Sequence, residues 1–454
     1  HEPIQIDNQE IITSLSNIAD YFLLHNRQIY QRADDSVIKP MYLTSKFMKK
    51  NIEVFLRKSR GFVPDPIECP LWYNDSAIVA VSSELHTTGA VATKGKIFIT
   101  QYIGDLKYEK TLNFLSESLN NLITILQKPE ITEIIGDMHP SYISTELGKE
   151  LSRKFKTPFV QIQHHKAHAA SLLGENKLFY EKSVIFVSDG LGFGEDGNIW
   201  GGEFFYGNIG NFVRENHWEY YLQPGGDLAT KYPIRIVISF LLDLGYNKEK
   251  LIDLIQKRKI NIYNKQEIEL IIDQCEKKIN APYTSSTGRF LDAISTLLNL
   301  VSVANYEGEP AITLESYAME WIHDNDFSKE NRLLELFLQE HTDRLSLKKL
   351  FKNVLILLEE KLDPRQIAYF VLDSIGHLAA LETIRISEEK GNIQYIGITG
   401  GVAYNDIITS RFCKEVKIKS YIPVLHKLLP PGDGCISVGQ CFQFIGEKLN
   451  IESG

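Results

Sequence analysis

One order of elements occurs twice along this chain, and that repeat limits the possible folds more than any other feature. From residue 77, three short strands (AIVAVSS, GAVATKG and KIFITQYI) follow one another across turn residues as an antiparallel meander. A helix over 108–127, strand TEIIGDM, a helix over 144–155, strand FVQIQH and a further helix come next. Near residue 183 the order restarts with SVIFVSDG, a glycine turn, NIWGGEFFYGN and a third strand. A largely helical region over 235–385 precedes strand QYIGITGG, a helix, a short strand near KSYIPV and a C-terminal helix. Each copy reads βββαβαβα, and each has a small polar loop after its first strand, SSELHTTG and SDGLGFGEDG. Before the repeat, 9–25 carries apolar residues at helical spacing, and RQIYQRADDSVIKP is strand-like.

A duplicated βββαβαβα unit is similar to the actin/hexokinase/heat-shock-chaperone (ASKHA) ATPase fold. That resemblance implies an α/β protein of two lobes with a nucleotide cleft between them. The expected boundaries are a connector over 41–72, lobe I over 73–182 and lobe II over 183–454, with the C-terminal helix able to pack back on lobe I.

At 454 residues, with 43% hydrophobic and 24% charged residues, the chain has ample core for such a fold. The net charge of −9 argues against broad nucleic-acid or anionic-membrane binding, which a basic surface usually serves. Five cysteines form no CxxC pair, which fits a reducing cytoplasm and neither a disulfide framework nor a zinc finger. No apolar run is expected to span a membrane, and no signal peptide is expected before the first helix. The start at HEPIQIDNQEI, without Met, suggests a shortened piece of a longer protein.

Chemistry concentrates in four residues. His164 and His168, in VQIQHHKAHAAS, are four apart and project from one helix face. Asp189 ends the strand SVIFVSD, and Asp433 sits in a Gly/Pro turn before the last helix. Two imidazoles and two carboxylates suit Fe²⁺, Zn²⁺ or Mn²⁺, with Mg²⁺ possible alongside a nucleotide. The plainer alternative is that the histidines cap a helix and cover a core edge.

Three glycine clusters then suggest a nucleotide. DGLGFGEDG (with Gly190 and Gly192), together with Gly201 and Gly202 just beyond it, permits close backbone approach to a phosphate. GITGGVAYND is expected to open a helix, so that Gly400 and Gly401 offer N–H groups to an anion and Asn405 contacts ribose or phosphate. NYEGEPAITLE offers Glu307 and Gly308 for ribose hydroxyls or an adenine edge. Each alone reads more readily as a plain turn, and the three together at strand–helix junctions of a duplicated fold favour a nucleotide. There is no Walker A sequence, no GxGxxG opening a βαβ unit and no GxSxG elbow. Asp137 and His139 shape the pocket or a turn, and Asp227, Lys231 and Arg235 lie in a possible binding loop.

In order, DDSV, RGFVPDP, QYIGDL, DMHPSYIST, VQIQHHKAHAAS, DGLGFGEDGNIWGGE, PGGDLAT, TSSTGRFLDA, NYEGEPAITLE, TGGVAYN and PPGDG resemble the motifs of the carbamoyltransferase family of NiFe-hydrogenase maturation, HypF. The likeness covers essentially the whole chain. Departures are Lys166 where the family has a third histidine, His86 in ELHTT where ELKNT is common, and Ala403 and Tyr404 where an aromatic and Gln are common. The resemblance implies that residues 1–40 are the end of a YrdC-like domain, which makes carbamoyl-adenylate from ATP and carbamoyl phosphate. It implies that the remainder passes the carbamoyl group to the C-terminal cysteine of HypE, on the way to a cyanide ligand. His164, His168, Asp189 and Asp433 would hold the divalent metal and act in catalysis. Alternatives are an O-carbamoyltransferase of small-molecule biosynthesis, a tRNA threonylcarbamoyl transferase relative and a non-catalytic nucleotide-binding scaffold.

Overall fold

The structure is a computed structural model that describes residues 3–258, 260, 264–325 and 345–449. Two sheets repeat one topology. In the first, Lys96–Ile99, Ala90–Thr93 and Ala77–Ala80 run antiparallel, then Ile131–Asp137 and Phe159–Ile162 add in parallel, with Ile67–Glu68 on the outer edge. In the second, Asn211–His217, Ile199–Asn208 and Ser183–Phe193 form the antiparallel part, and Tyr395–Thr399 and Ile422–Val424 the parallel part. The strand order is the same in both, so the expected duplication and fold class are present. The second sheet also gains Tyr221–Leu222 and Tyr283–Thr284 beside Ile199–Asn208. Central strands such as Ala77–Ala80 are buried at every residue, as strands covered on both faces must be.

Between the sheets lie two helices, His164–Glu175 and Ile436–Lys448, packed on each other. The first closes lobe I in sequence yet packs on strands of the second sheet, and the second closes the chain yet packs on the first sheet. Ala169, Ala170, Leu172, Leu173, Val438, Phe442 and Ile445 join Ile78, Ile135, Ile185 and Val187 in one core. Small residues let the helix axes approach: a Cβ on Gly439 would sit 1.9 Å from the Ala167 carbonyl oxygen, and one on Gly174 would overlap the Phe442 ring at 2.3 Å.

Helix Pro364–Lys390 has the length and composition of a membrane span, contrary to the expectation that no segment does. It is 94% buried over its apolar window and forms the centre of the lobe II core with Glu309–Asp324 and Asp406–Ile418. The helix expected over 9–25 extends only over Asn8–Leu15, capped by the Asp7 carboxylate. Beyond it Ile18, Tyr21 and Leu23 are more than three-quarters exposed. Helical periodicity there has no surface to bury against, and packing supplies most helix stability. The strand expected before residue 41 reduces to Val37–Pro40, paired with Glu53–Arg57. The intervening helix Tyr42–Met48 is held at its start by Asp406, which accepts from Leu43 N, Thr44 N and Thr44 Oγ1 at 2.7–2.9 Å.

The helix crossing carries a prediction. Gly439→Ala forces the two backbones apart and should lower stability by at least ~1–3 kcal/mol. A urea melt measures it, and an unchanged midpoint would show that the crossing has slack.

Candidate metal and nucleotide site

The crossing brings four sequence-distant side chains to one point. His164 opens its helix behind Gln163, whose side chain caps Lys166 N, and His168 follows one turn later. Asp189 leaves the strand Ser183–Phe193, and Asp433 begins a single 3₁₀ turn before the last helix. Asp189 Oδ2 is 3.3 Å from Nε2 of both histidines, and Asp433 Oδ1 is 3.6 Å and 3.5 Å from the same atoms. All four donor atoms lie within 4.8 Å of one another. Tetrahedral coordination with bonds of ~2.1 Å spaces neighbouring donors by ~3.4 Å, so the cluster has the dimensions of a divalent-metal site. The buried Nε2 of His168 faces both carboxylates without an aligned hydrogen bond to either.

Surrounding groups fix these donors. His164 Nδ1 donates to Asp137 Oδ2 at 2.9 Å, which leaves Nε2 facing the cluster. His168 Nδ1 lies 3.4 Å from Cys435 Sγ. Asp433 Oδ2 accepts from Ser83 Oγ at 3.2 Å, and Asp189 Oδ1 accepts from Gly190 N at 2.8 Å and Gly401 N at 3.3 Å. Burial alone would lower both imidazoles. Asp433, Asp137 and Asp189 overcome it at His164, and Cys435, Asp189 and Asp433 at His168, so both are raised well above the usual histidine value. Burial opposes ionisation of the carboxylates, yet the imidazoles hold Asp189 well below its usual value and Asp433 at about 2.

The glycines divide into two groups. Gly190 and Gly401 flank Asp189 through the amides just named. Gly192 makes room for a ring, since its Cβ would lie 2.3 Å from His165 Cε1. The amides of Gly201 and Gly202 both donate to Glu203 Oε1, at 2.8 Å and 2.9 Å, and a Cβ on Gly202 would strike Trp218. Gly400, at φ +95°, gives its amide to the Pro431 carbonyl. A 3₁₀ turn, Gly401–Tyr404, stands where a helix start was expected. The helix begins at Asp406, and the side-chain Oδ1 of Asn405 caps it by accepting from Ile407 N and Ile408 N. The amides of Gly201, Gly202 and Gly400 and the Asn405 Oδ1 thus have partners inside the protein.

Glu307 stays exposed beside Gly308, the N-cap of Glu309–Asp324. Its carboxylate is 3.5 Å from His86 Nε2. Burial works against charge on His86, but Glu307, Asp433 and Asp105 push it up to about 9. Arg235 is buried and donates to Gln274 Oε1 at 3.1 Å, which makes it a support of the 224–235 loop.

Two family profiles match, one described as the HypF Kae1-like domain over residues 73–175 and one as the second subdomain of the carbamoyltransferase Kae1-like domain over residues 185–440. The latter alone spans more than half of the chain. The chain belongs to the HypF carbamoyltransferase family. A probable HypF of Methanocaldococcus jannaschii is 39% identical over 98% of this chain and 55% of its own length. HypF of Synechocystis is 30% identical over 99% of this chain and 56% of its own. The crystal structure of T. kodakarensis HypF superposes with a TM-score of 0.86 at 34% identity, covering 99% of this chain and 56% of that one. A full-length HypF solved in a phosphate- and nucleotide-bound form gives 0.82 at 27%, covering 100% and 66%. The chain therefore spans about half the length of the curated HypF relatives it matches.

Sequence reasoning missed Ser83 and Cys435 as neighbours of the metal donors. Cys435 was within reach of sequence reasoning, two residues after Asp433, whereas Ser83 comes to the cluster only through tertiary packing.

Two outcomes test the cluster. His164→Ala or His168→Ala should abolish stoichiometric metal binding by elemental analysis while the circular dichroism spectrum is retained, and Asp137→Asn should weaken it ~10- to 100-fold. A metal must also displace protons that the carboxylates hold on both imidazoles. Affinity should therefore rise as pH climbs through and above the ordinary histidine range, with protons released on binding. Calorimetry in two buffers of different ionisation enthalpy would read the release, and a pH-independent affinity would refute the donor set.

Proposed function

We propose that this chain transfers the carbamoyl group of carbamoyl-adenylate to the C-terminal cysteine of a HypE-type acceptor protein, supplying the precursor of a hydrogenase cyanide ligand. The observation that carries this reading is the His164/His168/Asp189/Asp433 cluster, set at the meeting of two duplicated lobes and oriented by Asp137. Family membership supports the reaction class, and the nucleotide-bound relative supports an adenylate in the cleft.

The cluster would hold Fe²⁺ or Zn²⁺, with Mg²⁺ accompanying a nucleotide. A bound ion supplies Lewis acidity at the carbamoyl oxygen. His164 and His168, locked by the Asp137 carboxylate and the Cys435 thiol, fix where that oxygen sits. The acceptor thiolate attacks the carbamoyl carbon, the bond from that carbon to the phosphate oxygen breaks, and AMP departs with the electron pair. Amides at Gly190 and Gly401 hold Asp189 in place during this step. Glu307 and Gly308, at an exposed helix start, are positioned to meet the ribose.

The acceptor supplies its own nucleophile, so none is needed from this chain. Its five cysteines are free and buried, a state that suits a reducing cytoplasm. The net charge of −9 fits a protein acceptor better than a nucleic acid. Activation of carbamate is assigned to a YrdC-like domain, of which residues 1–40 would be the end.

The deciding experiment supplies carbamoyl-adenylate, made by a separate YrdC-like domain, together with a Cys-terminated acceptor peptide. Mass spectrometry should find the peptide heavier by one carbamoyl group. It should find no adduct when only ATP and carbamoyl phosphate are given without that domain. A carbamoylated small-molecule hydroxyl with an untouched peptide would overturn the proposal.

A further inference from the structure

Beside Asp189 lies a buried cation that is ion-paired to Asp292 but left short of hydrogen bonds. Arg289 stands in the first turn of helix Thr287–Leu297 and is 5% exposed. Its Nε and Nη1 are enclosed and have no hydrogen-bond partner. Asp292 Oδ2 is 3.0 Å from Nη1, but outside hydrogen-bond alignment, and Asp292 Oδ1 is likewise unsatisfied. Burial pushes Asp292 up to about 6 against the pull of the guanidinium. A desolvated guanidinium left this way is costly unless something else completes it.

The remaining nitrogen shows where that completion comes from. Nη2 points at Gly190, where an added Cβ would lie 2.9 Å from it. Gly190 is only half-buried and directly follows Asp189. Any side chain at 190 would stand between the guanidinium and the open side of the cleft. The helix start is pinned there as well. Ser286 Oγ donates to the carbonyls of Asp189 and Gly190 at 3.0 Å and 2.8 Å, and a Cβ on Gly288 would lie 2.8 Å from Gly190 Cα. Lys166, Arg214 and Lys39 by contrast donate hydrogen bonds to their carboxylates, Glu195, Glu203 with Asp196, and Glu315.

We propose that Arg289 is the phosphate-binding cation of this cleft, receiving the phosphate of the adenylate across the face of Gly190. The inference rests on the nucleotide reading above and names the group that holds the phosphate. Nη2 offers the phosphate one charge-assisted hydrogen bond, and the start of helix Thr287–Leu297 adds its positive end.

Calorimetry with AMP and with adenosine tests it on the whole chain. Arg289→Gln should bind AMP about 10- to 100-fold more weakly than the parent, the range expected for losing a charged hydrogen-bonding partner. Adenosine affinity and metal content should be unchanged. Arg289→Lys keeps the charge beside Asp292 and should fall between, which decides the matter if the Gln variant does not fold. Equal AMP affinity in a folded variant overturns the inference alone. Lost affinity for the acceptor peptide with AMP binding intact also overturns it, by assigning Arg289 to a carboxylate. A parent chain that binds neither AMP nor adenosine overturns both this inference and the nucleotide reading.

Discussion

Backbone contact between Ala167 and Gly439 sets the geometry on which the rest of the molecule depends. Each of the two crossing helices belongs to one lobe in sequence and packs against the sheet of the other. Their start points therefore converge, and His164, His168 and Asp433 all hang from those starts. Asp189 enters from the central strand of the second sheet. A side chain at 439 would move one pair of donors relative to the other, and donors ~3.4 Å apart around an ion tolerate little displacement. The same crossing that fills the interlobe core thus also sets the size of the metal site.

The site combines opposed electrostatic demands. Helix starts present partial positive charge, which disfavours a cation and suits an anion. Asp189, Asp433 and Asp137 reverse that locally around the imidazoles. Beyond Gly190 stand the start of Thr287–Leu297 and Arg289, with Asp292 behind it. A cation and an anionic nucleotide can therefore lie side by side, each in the field it requires.

Much of this was legible in the sequence. Four-residue spacing predicted that His164 and His168 share a face, and alternating strands and helices predicted the duplicated sheets. Glycine was read less well, for a physical reason. A missing Cβ serves close packing as readily as phosphate approach, and composition cannot tell the two apart. Gly192 accommodates His165, Gly202 accommodates Trp218 and Gly439 accommodates Ala167. Arg289 was hidden in the same way, because TSSTGR reads as an ordinary N-capped helix start. Its unsatisfied guanidinium exists only once the strand Ser183–Phe193, which runs on past the Asp189 where the sequence suggested it would end, is placed against that helix. The helix over 9–25 failed in the other direction, since periodicity was present and a packing partner was not.

The outer edge of the site follows the same logic of paired charges. His86, from the polar loop after the first lobe I strand, meets Glu307 from lobe II at 3.5 Å. With the imidazole pushed up to about 9, that pair is charged at neutral pH and links the two halves at the surface. The sign follows from the raised value. The attraction is complete below the ordinary histidine range and is lost as pH rises through about 9. Half-exposed and screened by solvent, the pair is a weak link between the lobes. The rigid part of the closure is the buried helix crossing beneath it, where backbone meets backbone.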